Sequence, residues 1–305
     1  MPQNEPGLQP STLEQVMAGL MRRYTERVPD ARKVLDAMVA EGIVQSASEI
    51  ENDHIAFRTM GVPKLGLASF EKIFLHYGYE KRDRYDFAEK KLTGYWYAPP
   101  DEQYPRIFAS ELRVHELSTQ AQQIIHSYTD AVNSDPVDGV DLDNAAAVDA
   151  FLHTSLWRTP SLADYTTLLA ESEYAAWVIY NRYYLNHFTI SVHGLGAGYN
   201  TIEEFVAFLR KHQFKLNAAG GEIKVSPDGD LRQAATVAQM LEASFDGGET
   251  MRIAGSYVEF AERRVLPAYR KLAAAQITRA HRREGFETSN ADKIFESTFT
   301  TQTGR

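Results

Sequence analysis

The 305-residue chain has no cysteine, so it can form no disulfide and offers no thiolate to a metal. Any metal ion would have to sit on histidine nitrogen and carboxylate oxygen, donors that suit Fe(II), Zn, Mn, Ni or Co. There is no basic tract, and the formal charge is −9, a balance that argues against nucleic acid and anionic membranes as partners. No uninterrupted apolar run approaches the length of a membrane span. Residues Met1 to Pro6 carry neither the basic nor the apolar stretch of a secretory signal. The expectation is a cytoplasmic protein, monomer or homodimer, that engages neither nucleic acid nor membrane. What the chain does have is an apolar fraction of 44% with 11% aromatics, enough for a sizeable core.

Two short stretches echo one another. Asp53 to Thr59 and Asn186 to His193 each open with an acidic or amide residue followed by histidine, and then alternate strictly. In the first, Ile55 and Phe57 share one face, and His54, Ala56 and Arg58 the other. In the second, Phe188, Ile190 and Val192 share one face, and His187, Thr189, Ser191 and His193 the other. Period-two alternation marks a strand with two different faces. The apolar faces need helices to cover them, and a shared pocket best explains the polar ones.

The surrounding pattern repeats as well. The first stretch is followed by a helix over 67–77 and strands over 79–87, 92–98 and 106–113. The second is followed by a helix through Ile202 and Leu209, then strands near 214–216, 221–225, 231–240 and 256–261, with a hairpin turn at Pro227, Asp228 and Gly229. This predicts an α+β fold in one compact structural domain. Two βαβββ-type modules, 51–113 and 186–262, form a curved mixed sheet around a metal cavity, with a helical insert and flanking helices. The N-terminal segment 1–50 reads as a loose tail over its first ten residues, then a helix opened by the Ser11/Glu14 capping pattern and a second helix from Pro29 to Gly42. The insert, 114–185, reads as helices over 118–132, 145–157 and 161–185. The C-terminal segment 263–305 reads as a helix over 269–281 and a further helical stretch over 286–298.

A mononuclear metal catalyst of the two-imidazole, one-carboxylate kind keeps its remaining positions open for substrate and O₂. His54 and His187 hold equivalent places in the two modules, so a pseudo-twofold arrangement brings both to one cavity. In Ser256 to Ala261, Val258 and Phe260 share the apolar face, which turns Glu259 inward with Tyr257 as the third ligand. Glu111, in the matching strand of the first module, is its rival, as a fourth ligand or a residue behind the ligands. Arg58 shares the inward face of His54 about 13 Å along the strand. An inward arginine in a metal cavity is suited to gripping a carboxylate with two hydrogen bonds, with a buried structural ion pair as the alternative. His193, roughly 20 Å from His187 at strand rise, fits a mouth residue or a structural histidine. Gly194, Gly196 and Gly198 lack the dinucleotide spacing, and the acidic loop 135–143 lacks the order of a calcium loop.

Together, the stretches Asp53 to Thr59, Phe108 to Leu112, Asn186 to Thr189, Gly255 to Phe260 and Asn290 to Ser297 resemble the 2-oxoadipate dioxygenase/decarboxylase family. That family lies within the wider vicinal-oxygen-chelate, or glyoxalase-like, superfamily. The resemblance implies an Fe(II) enzyme of lysine catabolism that converts a small 2-oxo dicarboxylic acid, 2-oxoadipate, and O₂ into 2-hydroxyglutarate and CO₂ without an external reductant. It implies His54, His187 and Glu259 as metal ligands. Arg58 would be the catalytic contact to the substrate carboxylate, and Ser289 a second substrate contact. The chain looks shorter between Glu259 and its tail than the best-known bacterial members, which leaves the exact 2-oxo acid open. Two alternatives stand beside this reading: a redox-neutral glyoxalase-like isomerase or lyase using the metal as a Lewis acid, and a non-catalytic protein that binds a small anion.

Overall fold

The computed structural model describes residues 10–304, so nearly all of the N-terminal stretch read as a loose tail lies outside the described residues. Helix α1 (Thr12–Arg27) begins at Ser11, whose side chain accepts from Glu14 N while Glu14 accepts from Ser11 N. Pro29 opens α2 (Pro29–Ala40), where a missing N–H costs nothing, and Gly42, at φ +69°, turns the chain out of it. The first module follows as β1 (Asn52–Met60), α3 (Leu67–His76), β2 (Glu80–Phe87), β3 (Leu92–Ala98) and β4 (Arg106–Leu112). The insert carries α4 (Thr119–Thr129), α5 (Ala145–His153), α6 (Leu162–Glu171) and α7 (Glu173–Asn181). The second module holds β5 (His187–Ser191), α8 (Ile202–Lys211), β6 (Lys224–Val225), β7 (Leu231–Ala235), β8 (Met240–Ser244), β9 (Thr250–Ala254) and β10 (Tyr257–Arg263). Helices α9 (Thr288–Phe295) and α10 (Thr300–Thr303) end the described chain.

The repeat read in the sequence is a real pseudo-twofold. The curled sheet runs β2-β3-β4-β1-β5-β10-β7-β6, so β1, β4, β3 and β2 on one side of its centre mirror β5, β10, β7 and β6 on the other. The two histidine-bearing strands lie antiparallel at the centre, and each is flanked by a parallel partner, β4 or β10. Register fixes the equivalences: His54 lies opposite Arg106 and Ala56 opposite Phe108, while His187 lies opposite Tyr257 and Thr189 opposite Glu259. On the outer face Ile55, Phe57, Phe188, Ile190 and Phe260 pack with Val16, Val34, Phe70 and Phe205 from α1, α2, α3 and α8. On the inner face Ala56 and Phe108 belong to a second core with Ile125, Leu168, Trp177 and Phe295 from the insert and α9.

The structure departs from the sequence reading where local chemistry interrupts a long pattern. The helix expected over 161–185 breaks at Ser172, which is extended (φ −145°, ψ 105°) and whose hydroxyl accepts from Ala175 N to start α7. Serine competes for backbone hydrogen bonds in this way and favours a cap over a helix interior. The strand expected over 231–240 ends at Ala235, and Met240 begins a separate two-stranded ribbon, β8–β9, that the sequence reading missed. Residues 214–216 contribute one isolated bridge, Leu216 to Thr236, in place of a strand. No helix forms over 269–281. That stretch makes short 3₁₀ turns, and Tyr269 and Leu272 stay exposed, because its apolar residues find no core to bury against.

Glu111 belongs to this account and not to the metal centre. It lies opposite Thr59 on the sheet face away from His54 and Arg58. Its Oε2 accepts from Leu67 N at 2.6 Å, so it caps the start of α3. A Cβ on Gly66 would fall 2.1 Å from that oxygen, which explains the glycine there. A carboxylate at a helix N-terminus meets both free N–H groups and the positive end of the dipole. Glu111→Ala is therefore expected to destabilise the fold by about 1–2 kcal/mol, read as a lower denaturation midpoint, with Glu111→Gln losing less. Metal binding should be unchanged in both; a variant that folds but loses its metal would contradict this placement.

Candidate metal centre

Three adjacent strands deliver three side chains to one point. His54 from β1, His187 from β5 and Glu259 from β10 are buried, with ligand atoms within 4.8 Å of one another. Glu259 Oε2 lies 3.1 Å from His187 Nε2, and Oε1 lies 3.5 Å from His54 Nε2. The two Nε2 atoms are 3.4 Å apart. Behind each ring stands an acceptor: Asp53 Oδ1 is 2.7 Å from His54 Nδ1, and Asn186 Oδ1 is 3.1 Å from His187 Nδ1. An oxygen acceptor at Nδ1 places the ring proton there and leaves Nε2 with a lone pair. Two such lone pairs and a carboxylate then face one another out of water, an arrangement that repels itself unless a cation is shared among them. The donor set thus fits a divalent ion.

The surroundings hold these atoms in place. Asp53 is buried, yet its carboxyl sits well below the usual range. Burial favours the neutral acid, but Arg263 (Nε to Oδ2, 2.7 Å; Nη2 to Oδ1, 3.0 Å) and Arg106 (Nη1 to Oδ2, 3.3 Å) overcome it. Glu259 is likewise driven well below the carboxylate range, burial being outweighed by the two imidazoles. The two histidines diverge. Burial opposes charge on both, but Glu259 and Asp53 raise His54 above its ordinary value, whereas His187, backed by a neutral amide, is lowered. Gln233 of β7 donates to Glu259 Oε1 at 2.5 Å, and its own Oε1 accepts from Asn290 Nδ2 at 3.0 Å. The Tyr257 ring stacks on His187 with centroids 4.8 Å apart, and Phe286 meets the edge of His54 at 4.8 Å.

Beside the triad is a small cavity, about 20 Å³, lined by Arg58, Phe108, Tyr257, Phe286 and Phe295 among others. Arg58 is buried; its Nη1 donates to Thr298 Oγ1 at 3.0 Å and its Nη2 to the Phe295 carbonyl at 3.1 Å. The rings of Tyr174, Trp177 and Phe295 flank its guanidinium. No carboxylate among the described residues forms an ion pair with it, Nε has no partner, and burial pulls its pKa below the usual guanidinium value. The structural ion-pair alternative for Arg58 is thus not what the structure shows.

Other expectations fare differently. Ser289 is exposed on α9 and does not line the cavity; its neighbour Asn290 is the buried one. Glu111 stays on the far face, because the register makes Phe108, not Glu111, the counterpart of Glu259. His193 accepts from Arg263 N at 3.2 Å and is pushed down to about 4 by burial, as a neutral structural histidine. The residues behind the ligands (Arg106, Gln233, Arg263, Asn290) carried no sequence signal of their own. Asp53 did, as the acidic residue placed before His54.

Comparisons with known proteins agree with this geometry. The family model described as 2-oxoadipate dioxygenase/decarboxylase matches residues 16–278. The chloroplastic 2-oxoadipate dioxygenase/decarboxylase of Arabidopsis thaliana is 40% identical over 308 aligned positions, covering 97% of this chain and 80% of that protein. A crystal structure of hydroxyglutarate synthase from Oryza sativa, in complex with 2-oxoadipate, superposes with a TM-score of 0.87 at 36% identity over all of both chains. A glyoxalase superfamily protein from Ralstonia eutropha JMP134 shares the fold, with a TM-score of 0.67 at 22% identity over 93% of this chain and 89% of its own.

Partners behind metal ligands set ligand orientation, and losing one costs about 10–100-fold in metal affinity. Gln233→Leu, which removes the hydrogen bond to Glu259, is expected to weaken the metal by about tenfold in a competitive chelator titration. Unchanged affinity would show that Glu259 needs no such support.

Proposed function

The chain belongs to the 2-oxoadipate dioxygenase/decarboxylase family, and we propose that it is an Fe(II)-dependent enzyme converting 2-oxoadipate and O₂ into 2-hydroxyglutarate and CO₂, in the cytoplasm and in lysine catabolism. The observation that carries this reading is one cavity that joins a His₂-carboxylate centre to a buried arginine without an acidic partner. One end of that cavity suits a chelating 2-oxo acid and the other a free carboxylate.

His54, His187 and Glu259 would hold the ion on one side, which is the facial arrangement suited to a ferrous centre. When bound, iron supplies the electron chemistry by which O₂ reacts with a 2-oxo acid. The reaction balances without a reductant: one carboxyl leaves as CO₂, the keto carbon becomes a carboxylate with one oxygen atom, and the neighbouring carbon gains a hydroxyl with the other. The chain's own residues bind and orient. Arg58 grips the carboxylate remote from the keto group and so decides which carbon faces the centre. Phe108, Phe286 and Phe295 make the wall apolar and keep water out. Asp53 and Asn186 hold the Nδ1 protons of the two histidines. A fourth carboxylate ligand would have favoured redox-neutral isomerase chemistry, and Glu111 sits elsewhere.

The test is oxygen uptake by Fe(II)-reconstituted protein on adding 2-oxoadipate. Wild type should consume oxygen and release CO₂, and His187→Ala should do neither. Arg58→Ala should raise KM for 2-oxoadipate by about 100-fold, the scale expected when a buried charge loses its partner. No uptake with 2-oxoadipate or related 2-oxo acids, despite bound iron, would sink this reading.

A further inference from the structure

Buried polar groups are almost always hydrogen-bonded, so those left without a partner mark places where something else binds. Among the described residues, three such atoms belong to side chains that line the metal-side cavity: Arg58 Nε, Tyr257 Oη and Asn186 Nδ2. The Asn186 side chain is tied through Oδ1 to His187 Nδ1. Arg58 and Tyr257 form a pair. Both are about 1% exposed, and the guanidinium and the phenol act directly on one another across the cavity wall.

The Tyr257 ring needs no hydroxyl for its packing. It stacks on His187 at 4.8 Å and 32°, and its backbone carbonyl accepts from Tyr24 Oη. A phenylalanine would meet both roles, so packing gives no reason for the hydroxyl. The first module points the same way. The position equivalent to Tyr257 is Arg106, whose side chain is fully engaged with Asp53 and Glu284. Only the Tyr257 side offers a free donor.

We propose that the Tyr257 hydroxyl and Arg58 Nε–H are the two donors of a single seat for the substrate carboxylate remote from the metal, which makes Tyr257 a specificity-determining residue for diacids. This rests on the functional reading above. Arg58 supplies charge and one N–H, while its Nη atoms stay with Thr298 and Phe295. Tyr257 supplies an O–H along a second direction. A substrate ending in a methyl group would leave both donors buried and unpaired, the circumstance in which a site rejects an analogue most strongly.

The experiment compares the iron-loaded wild type with Tyr257→Phe on 2-oxoadipate and on 2-oxohexanoate, which has the same chain length but a methyl end. Tyr257→Phe should raise KM for 2-oxoadipate about tenfold, as expected for one hydrogen bond to a charged group, and leave kcat within about twofold. The 2-oxohexanoate kinetics should not change, so the diacid preference falls about tenfold. Metal affinity should match wild type. The melting temperature should be equal or higher, because the variant strands no protein partner. An unchanged preference, or equal loss on both substrates with altered metal affinity, would overturn the proposal; the latter would mean that Tyr257 acts through His187. If the wild type consumes no oxygen, the functional reading fails on its own, and adipate binding measured by calorimetry still reads the seat. There Tyr257→Phe must bind adipate about tenfold more weakly, and equal affinity overturns the proposal.

Discussion

An ionised carboxylate withdrawn from water costs several kcal/mol unless cations and donors meet it, and Asp53 is 1% exposed in the middle of the sheet. It is met from three directions: Arg263 of β10, Arg106 of β4 and His54 Nδ1 of its own strand. Each arginine reaches further. Arg263 donates to the carbonyls of Arg283 and Gly285, and Arg106 pairs with Glu284. The carboxylate that sets the tautomer of His54 therefore also anchors the segment that lays Phe286 against the His54 ring. Ligand geometry and cavity closure rest on the same buried charge, and neither can loosen alone.

The pseudo-twofold supplies the two histidines, and its breakage supplies the rest. Asp53 corresponds to Asn186, Arg58 to Ser191, Phe108 to Glu259 and Arg106 to Tyr257 across the two halves. At each pair one member is charged and the other neutral. One half gives the carboxylate ligand and the other gives the arginine, so a symmetric scaffold becomes a cavity with a metal end and a carboxylate end. The difference behind the rings follows too: a carboxylate backs His54 and an amide backs His187, which raises the basicity of one ligand and not the other.

Much of this was legible in the sequence because strand alternation is a strict code. Parity alone placed His54, Arg58, His187, Tyr257 and Glu259 on one face, and the structure gathers all five along one cavity. The same code would have excluded Glu111, since Phe108 and Ser110 face the cavity and position 111 must face away. The error lay in matching strands by order and not by register. Helical periodicity was the weaker guide. It extended through Ser172, where a hydroxyl diverts the backbone, and it invented a helix over 269–281, where no core exists to reward one. Ser289 was misplaced for a related reason: on a short helix one residue decides between solvent and cavity, and the buried face belongs to Asn290 and Ile294. The residues behind the ligands were invisible because Arg106, Arg263 and Gln233 read as ordinary strand residues until distant strands bring them together.

The charges inside the molecule also bear on which ligand the cavity accepts. Asp53 and Glu284 are matched by Arg106 and Arg263, so that group is closed on itself. What remains facing the cavity is Glu259, Arg58 and, on the proposed reading, a divalent ion. Together these leave two positive charges in surroundings of low dielectric, where an unmatched charge is costly. A 2-oxo diacid is doubly ionised at neutral pH and cancels both, one at the metal end and one at Arg58. A monoacid cancels only the first and leaves the guanidinium buried without a counter-charge. The preference for a diacid is thus set first by charge number, and hydrogen-bond geometry at the far end refines it. The same count applies after turnover: CO₂ leaves without charge and 2-hydroxyglutarate remains a dianion, so the organic product satisfies the cavity as well as the substrate did, and its departure must expose both charges again.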